Sequence, residues 1–270
     1  MLNRSRFLIG QYRPGTGLLY RLDPRTKIIF VFLIMAAVLA KTSFLFYAGL
    51  ILLLLVLLLA CGLGWRLILG NLKPIVWFVV LTALFHLLFS GKDDPEVFFT
   101  VFGYTVSRTA AYMALTFSAR ILIFVLSTFV LSLTTNPVAL SEGIISLLSP
   151  LRFVRIPVQD LGMILFIALR FIPVLADEVE TIRKTQMIRG VQFTGKLRER
   201  VKRSTALILP VFFSALRRAD DLSVAIYTRG YRSGQPRSSL QPLKFAAIDF
   251  IVIGISLTMM ALVLILRRVS

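Results

Sequence analysis

The chain has 270 residues, 57% of them hydrophobic, with 22 Phe and a mean hydropathy of +0.83. That much apolar side chain excludes an ordinary soluble domain and predicts a polytopic membrane protein in the lipid bilayer. The formal charge of +18 is then the Lys and Arg excess that keeps loops on the cytoplasmic side, and nucleic acid is not expected as a partner.

No cleavable signal peptide is expected, because the first 27 residues are polar and basic rather than an apolar core followed by a small-residue cleavage site. The first apolar run, Ile28 to Ala40, follows Leu22-Asp23-Pro24-Arg25-Thr26-Lys27. Asp23 suits an N-cap and Pro24 the first helical position, while Arg25 and Lys27 are expected to anchor the helix start at the membrane surface. The run rises only about 20 Å, so either Lys41 snorkels or the helix is tilted, partial or buried.

A second run, Phe44 to Cys61, is long enough to span and is followed by the interface-type pair Trp65-Arg66. Cys61 is the only cysteine and carries no redox or metal argument. A third run from Pro74 to Phe89 ends in the acidic, turn-rich segment Ser90-Gly91-Lys92-Asp93-Asp94-Pro95-Glu96, which fits the outside. A fourth, from about Ala110 to Leu133, contains Arg120, which must face a helix neighbour or a partner subunit. A final span is expected over Phe245 to Leu266.

The expected fold is therefore an all-α integral membrane protein with about five transmembrane helices plus two to three long cytoplasmic coupling helices. The domains are residues 1–133 (membrane bundle), 134–243 (basic coupling-helix region) and 244–270 (last transmembrane helix). In the basic region, Asn136-Pro137 starts an amphipathic helix with Ile144, Ile145, Leu147 and Leu148 on its apolar side, ending near Pro150. Pro157 starts a longer helix running to Arg189. It is apolar through Leu161, Leu165 and Leu169, then polar after Pro173, where a kink is expected. The next helix repeats the design with Leu207, Pro210, Phe212 and Phe213, then Arg217-Arg218-Ala219-Asp220-Asp221.

The two helices end in Ile188-Arg189-Gly190 and Thr228-Arg229-Gly230. Gly suits the position just past a helix end, and Arg complements the negative end of the helix dipole, so helix capping alone accounts for either copy. Their recurrence on long helices beside a membrane adds a docking reading, because the planar guanidinium fork suits an acidic or carbonyl-lined groove. The prolines precede the two arginines by different spacings, so the repeat is one of design and not of strict register.

Catalytic and metal roles are not expected. His86, the only histidine, is read as a packing residue, and Asp177-Glu178-x-Glu180 and Asp220-Asp221 sit among arginines and lysines at helical spacing. These acids suit ion pairs within or between helices better than Mg²⁺. No nucleotide-binding glycine loop is present, so any ATP hydrolysis belongs to a partner.

The sequence resembles the transmembrane T component of energy-coupling factor (ECF) transporters, including the membrane component of related cobalt uptake systems. The resemblance rests on Tyr20-Arg21-Leu22-Asp23-Pro24-Arg25-Thr26-Lys27, on the two x-Arg-Gly endings and on the following Tyr231. Where the family pattern reads Ala-Arg-Gly, Ile188 and Thr228 replace the alanine. The resemblance implies a non-enzymatic coupling subunit in the cytoplasmic membrane, with its N-terminus and coupling region cytoplasmic. It would have no cofactor of its own, since ATP is bound by the partners. Those partners would be two ABC-type ATPase subunits, docked through Ile188, Arg189, Gly190, Thr228, Arg229 and Gly230. A membrane-embedded S component would meet Leu161, Leu165, Leu169, Leu207, Phe212 and Phe213 and would carry a vitamin or metal ion. The competing classes are an integral-membrane enzyme and a stand-alone carrier; a carrier calls for ionisable residues recurring at midplane, and Arg120 and His86 are too few.

Overall fold

The computed structural model describes residues 15, 17–40, 43–89, 97–101, 104–191, 193, 197–232 and 243–269. Lys41 and the acidic segment Ser90–Glu96 lie outside the described residues. In chain order the elements are α1 (Leu18–Arg21), α2 (Pro24–Ala40), α3 (Phe44–Ala60), α4 (Trp65–Phe89), β1 (Val97–Val101), β2 (Tyr104–Ser107), α5 (Arg108–Thr134) and α6 (Pro137–Leu147). A 3₁₀ turn over Ser149–Val154 leads to α7 (Val158–Ile188), α8 (Leu197–Thr228) and α9 (Ala247–Val269). The protein is an all-α membrane protein whose one β feature is the short antiparallel β1–β2 pair among the described residues. Four described helices, α4, α5, α7 and α9, are long and apolar enough to cross a membrane.

The chain divides into two compact units, residues 10–144 with 243–270, and residues 145–242. In the first unit, Tyr47, Leu50, Leu54 and Leu58 form a buried stripe along α3, and Ile123, Leu126, Val130 and Leu133 form one along α5. Steps of three and four residues keep each stripe on one helical face, so the two helices meet along their length. The remaining faces are as apolar as the buried ones, with Leu45 83% and Trp77 71% exposed. Such a surface suits lipid and not water.

Several boundaries differ from the sequence expectation. Helix α4 begins at Trp65 and runs through Pro74, which sits inside it instead of at its start. In a membrane helix the freed carbonyl can be satisfied by neighbouring groups, so proline does not end the element. Helix α5 begins at Arg108, where Ser107 Oγ accepts the Ala110 N–H at 3.1 Å as an N-cap. The preceding β1–β2 pair was not anticipated. Arg120 is satisfied inside its unit: its Nε donates to Tyr47 Oη at 3.0 Å, and its guanidinium lies 5.1 Å from the Phe117 ring centre. Tyr47 Oη in turn donates to Val38 O at 3.1 Å, joining α2, α3 and α5 through one hydroxyl. His86 packs as expected, its ring stacked on Phe117 at 4.4 Å with Nδ1 2.9 Å from Thr82 O.

Candidate functional site: two arginine-bearing helix ends

The endings of α7 and α8 have one geometry. At the first, Gly190 N–H donates to Met187 O and Val191 N–H to Gln186 O, both at 3.0 Å. At the second, Gly230 N–H donates to Tyr227 O at 2.9 Å and Tyr231 N–H to Ile226 O at 3.2 Å. This is the Schellman pattern, in which the two residues past the helix turn back onto its last carbonyls. It requires a left-handed residue, and Gly190 (φ +88°) and Gly230 (φ +74°) supply it. Arg189 and Arg229 therefore occupy the same cap position, and both are exposed, as are Thr228 and the 88% exposed Ile188.

The second unit fixes where these ends stand relative to each other. Residues 189–196 join α7 to α8, and Arg218 Nη2 of α8 donates to Glu178 Oε2 of α7 at 2.8 Å. Tyr231, just past α8, donates through Oη to Asp160 Oδ1, near the start of α7, at 3.0 Å. The partner rises in sequence as the position on α7 falls, so the helices are antiparallel and the arginine ends lie at opposite ends of the pair. Glu178 precedes Arg189, and Arg218 precedes Arg229, by the same eleven residues. Eleven residues are about three turns, so the ion pair and the arginines have a shared register that the prolines lack. Each arginine stands about 16 Å from the ion pair along its helix, and the two ends are about 33 Å apart.

Antiparallel packing also sets apart, along the pair, the two groups of apolar residues singled out from the sequence. Leu161, Leu165 and Leu169 lie on one side of the Glu178–Arg218 pair, and Leu207, Phe212 and Phe213 on the other. Leu161, Phe212 and Phe213 are exposed, whereas Leu165, Leu169 and Leu207 are half-buried. The apolar half of each helix thus runs beside the polar half of its partner. Of the clustered acids, Glu178 and Glu180 are in ion pairs: besides the Glu178–Arg218 pair, Glu180 stands 3.6 Å from Lys184 and 3.9 Å from Arg183. Among the described residues, no three His, Cys, Asp or Glu side chains form a group that could hold a metal ion.

The Asp23–Lys27 segment faces inward. Asp23 Oδ1 accepts the Arg25 N–H at 2.9 Å, capping α2 as its sequence predicts. Lys27 is only 3% exposed, and its ammonium donates to Thr134 O at 3.0 Å and Thr135 Oγ1 at 3.2 Å. The carbonyl end of α5 suits this cation, since those carbonyls lack helical partners and carry the negative end of the dipole. Sequence reasoning missed Asp249, which is fully buried. Its Oδ1 accepts the Asp23 N–H at 2.9 Å and its Oδ2 the Ala246 N–H at 2.7 Å. An acid in the first turn of α9 was visible in the sequence; its long-range partner was not.

Comparison with known proteins places this geometry. The profile of the family described as cobalt transport protein matches residues 15–240. The chain is 37% identical over 261 residues to the energy-coupling factor transporter transmembrane protein EcfT of Bacillus subtilis, spanning 96% of this chain and 98% of that one. It is also 37% identical to the protein of that name from Listeria innocua, over 91% and 92% of the two chains, and 32% identical to that from Lactococcus lactis subsp. cremoris, over 97% and 98%. Matches of this extent take in both units and both arginine-bearing ends, and with the apolar helices they show that this multi-pass membrane chain belongs to the family of ECF transporter transmembrane (T) components.

Proposed function

We propose that the chain is the coupling subunit of an ECF-type ABC importer in the cytoplasmic membrane, and not itself an enzyme. Arg189 and Arg229, with their neighbours Ile188, Gly190, Thr228 and Gly230, each enter a groove on one of two cytosolic ATPase subunits, which bind the ATP. A membrane-embedded S component carrying a vitamin or metal ion contacts the apolar surfaces around Leu161, Leu165 and Leu169 and around Leu207, Phe212 and Phe213. The N-terminus and residues 134–243 face the cytoplasm, in keeping with their Lys and Arg content.

The observation that carries this reading is the pair of matching caps at opposite ends of one antiparallel hairpin. Two equivalent arginines about 33 Å apart suit two separate but similar subunits, one at each end. A single groove would not need the duplication. The test is co-purification from cells expressing the tagged chain with its ATPases and an S component. Arg189→Glu and Arg229→Glu are each expected to weaken ATPase recovery and abolish uptake while leaving membrane insertion intact. Normal ATPase recovery and uptake in both variants would reduce the endings to helix caps.

A further inference from the structure

The chain leaves the first unit after Ile144 and rejoins it at Leu243. Both crossings meet the short segment that opens α2, through Asp23, Pro24, Arg25 and Lys27. On the outgoing side, Lys27 holds Thr134 O and Thr135 Oγ1, immediately before Asn136-Pro137 opens α6. In α6, Gly143 sits so close to α2 that an added Cβ would stand 3.0 Å from Pro24 Cβ and 3.4 Å from the Arg25 nitrogen. On the returning side, the Arg25 guanidinium lies 5.1 Å from the Phe245 ring centre. Asp249 then ties the Ala246 N–H of its own helix start to the Asp23 N–H.

We propose that Asp23–Lys27 is a clasp that holds the outgoing and returning connections of the coupling region to one point, with Lys27 and Asp249 as positioning residues for energy coupling. The proposal rests on the coupling function given above. Its physical basis is that a hairpin driven by ATPases transmits force only where its two connections are fixed. Charged hydrogen bonds made by buried groups are strong local fixings, because leaving either partner unpaired in a dry site is costly. Apolar packing alone would let the connections slide, since helices in lipid gain little from burying one apolar face instead of another.

The test is hydrogen exchange on the full chain in complex with its ATPases, in lipid nanodiscs, comparing wild type with Lys27→Met and Asp249→Asn. Lys27 makes its hydrogen bonds to the outgoing connection and attracts Asp249 of the returning one through its charge, so a shared clasp predicts that Lys27→Met speeds exchange about tenfold or more at residues 243–249 as well as at 134–141. Asp249→Asn is expected to act reciprocally on 134–141. ATPase recovery should stay at the wild-type level, since Arg189 and Arg229 are untouched. Should Lys27→Met fail to fold, Thr135→Val removes one of the two Lys27 hydrogen bonds and carries the same cross-effect in milder form. Exchange that rises only at the connection next to each substitution would overturn the clasp and leave the coupling function standing. A wild-type chain that recovers no ATPase would overturn the coupling function, and the positioning role with it.

Discussion

Gly190 and Gly230 hold conformations that an L side chain adopts only under strain, at φ +88° and +74°, and no atom would obstruct an added Cβ at either position. Replacing either with alanine should therefore cost about 1 kcal/mol from backbone conformation alone. Thermal melting in detergent checks this, and the two losses should be similar because the two caps share one hydrogen-bond pattern. Tyr47→Phe is expected to cost about 1–3 kcal/mol, since one lost hydroxyl leaves both Arg120 Nε and Val38 O without a bond inside the bundle. Melting again reads it, with a conservative surface change such as Leu45→Ile as the unaffected control. The caps were legible because Arg-Gly after a long helical pattern is a local signal. The partners of Arg120 and Asp249 were not, since Tyr47 and Asp23 are distant in sequence and no periodicity marks them.

At the level of elements, the α7–α8 hairpin is held by pairs that span it. Tyr231→Phe removes the hydrogen bond to Asp160, and Glu178→Arg sets two arginines against each other. The second change is expected to loosen the hairpin, and the exchanged pair Glu178→Arg with Arg218→Glu to restore much of it. Protease resistance of residues 158–232 in detergent follows both. The pair is partly exposed, so its own contribution is modest, about 0.2–1 kcal/mol. The long helices and their change from apolar to polar were plain from the residue pattern, and both helices run unbroken through Pro173 and Pro210. Their antiparallel sense was not, because the amphipathic pattern fixes which face of a helix is apolar and says nothing of which half of a neighbour lies beside it. Similarly, Pro74 reads as a helix start by soluble-protein rules, and only the membrane setting lets α4 run through it.

For the whole molecule, composition alone separated a membrane chain from a soluble one, and the exposed leucines, phenylalanines and tryptophans of the first unit bear that out. The division into two units cuts across the linear order, because α9 returns to the helices that open the chain. The last helix packs with α2, and its buried Asp249 accepts the Asp23 N–H at the start of that helix. If the docking arginines work through charge, ATPase association should weaken as salt shortens the range of electrostatic attraction from about 10 Å at 0.1 M to about 3 Å at 1 M. Co-purification across that range is the measurement, and salt-insensitive recovery would point to docking by apolar contact.

The Glu178–Arg218 pair stands eleven residues before each arginine, which makes the hairpin a balance with arms of equal length. Tilting it by 10° about that pair moves each end by about 3 Å on an arm of about 16 Å. The two displacements are equal in size and opposite in direction. Under the proposed coupling function, arms of equal length would pass motion from one end to the other without amplifying it.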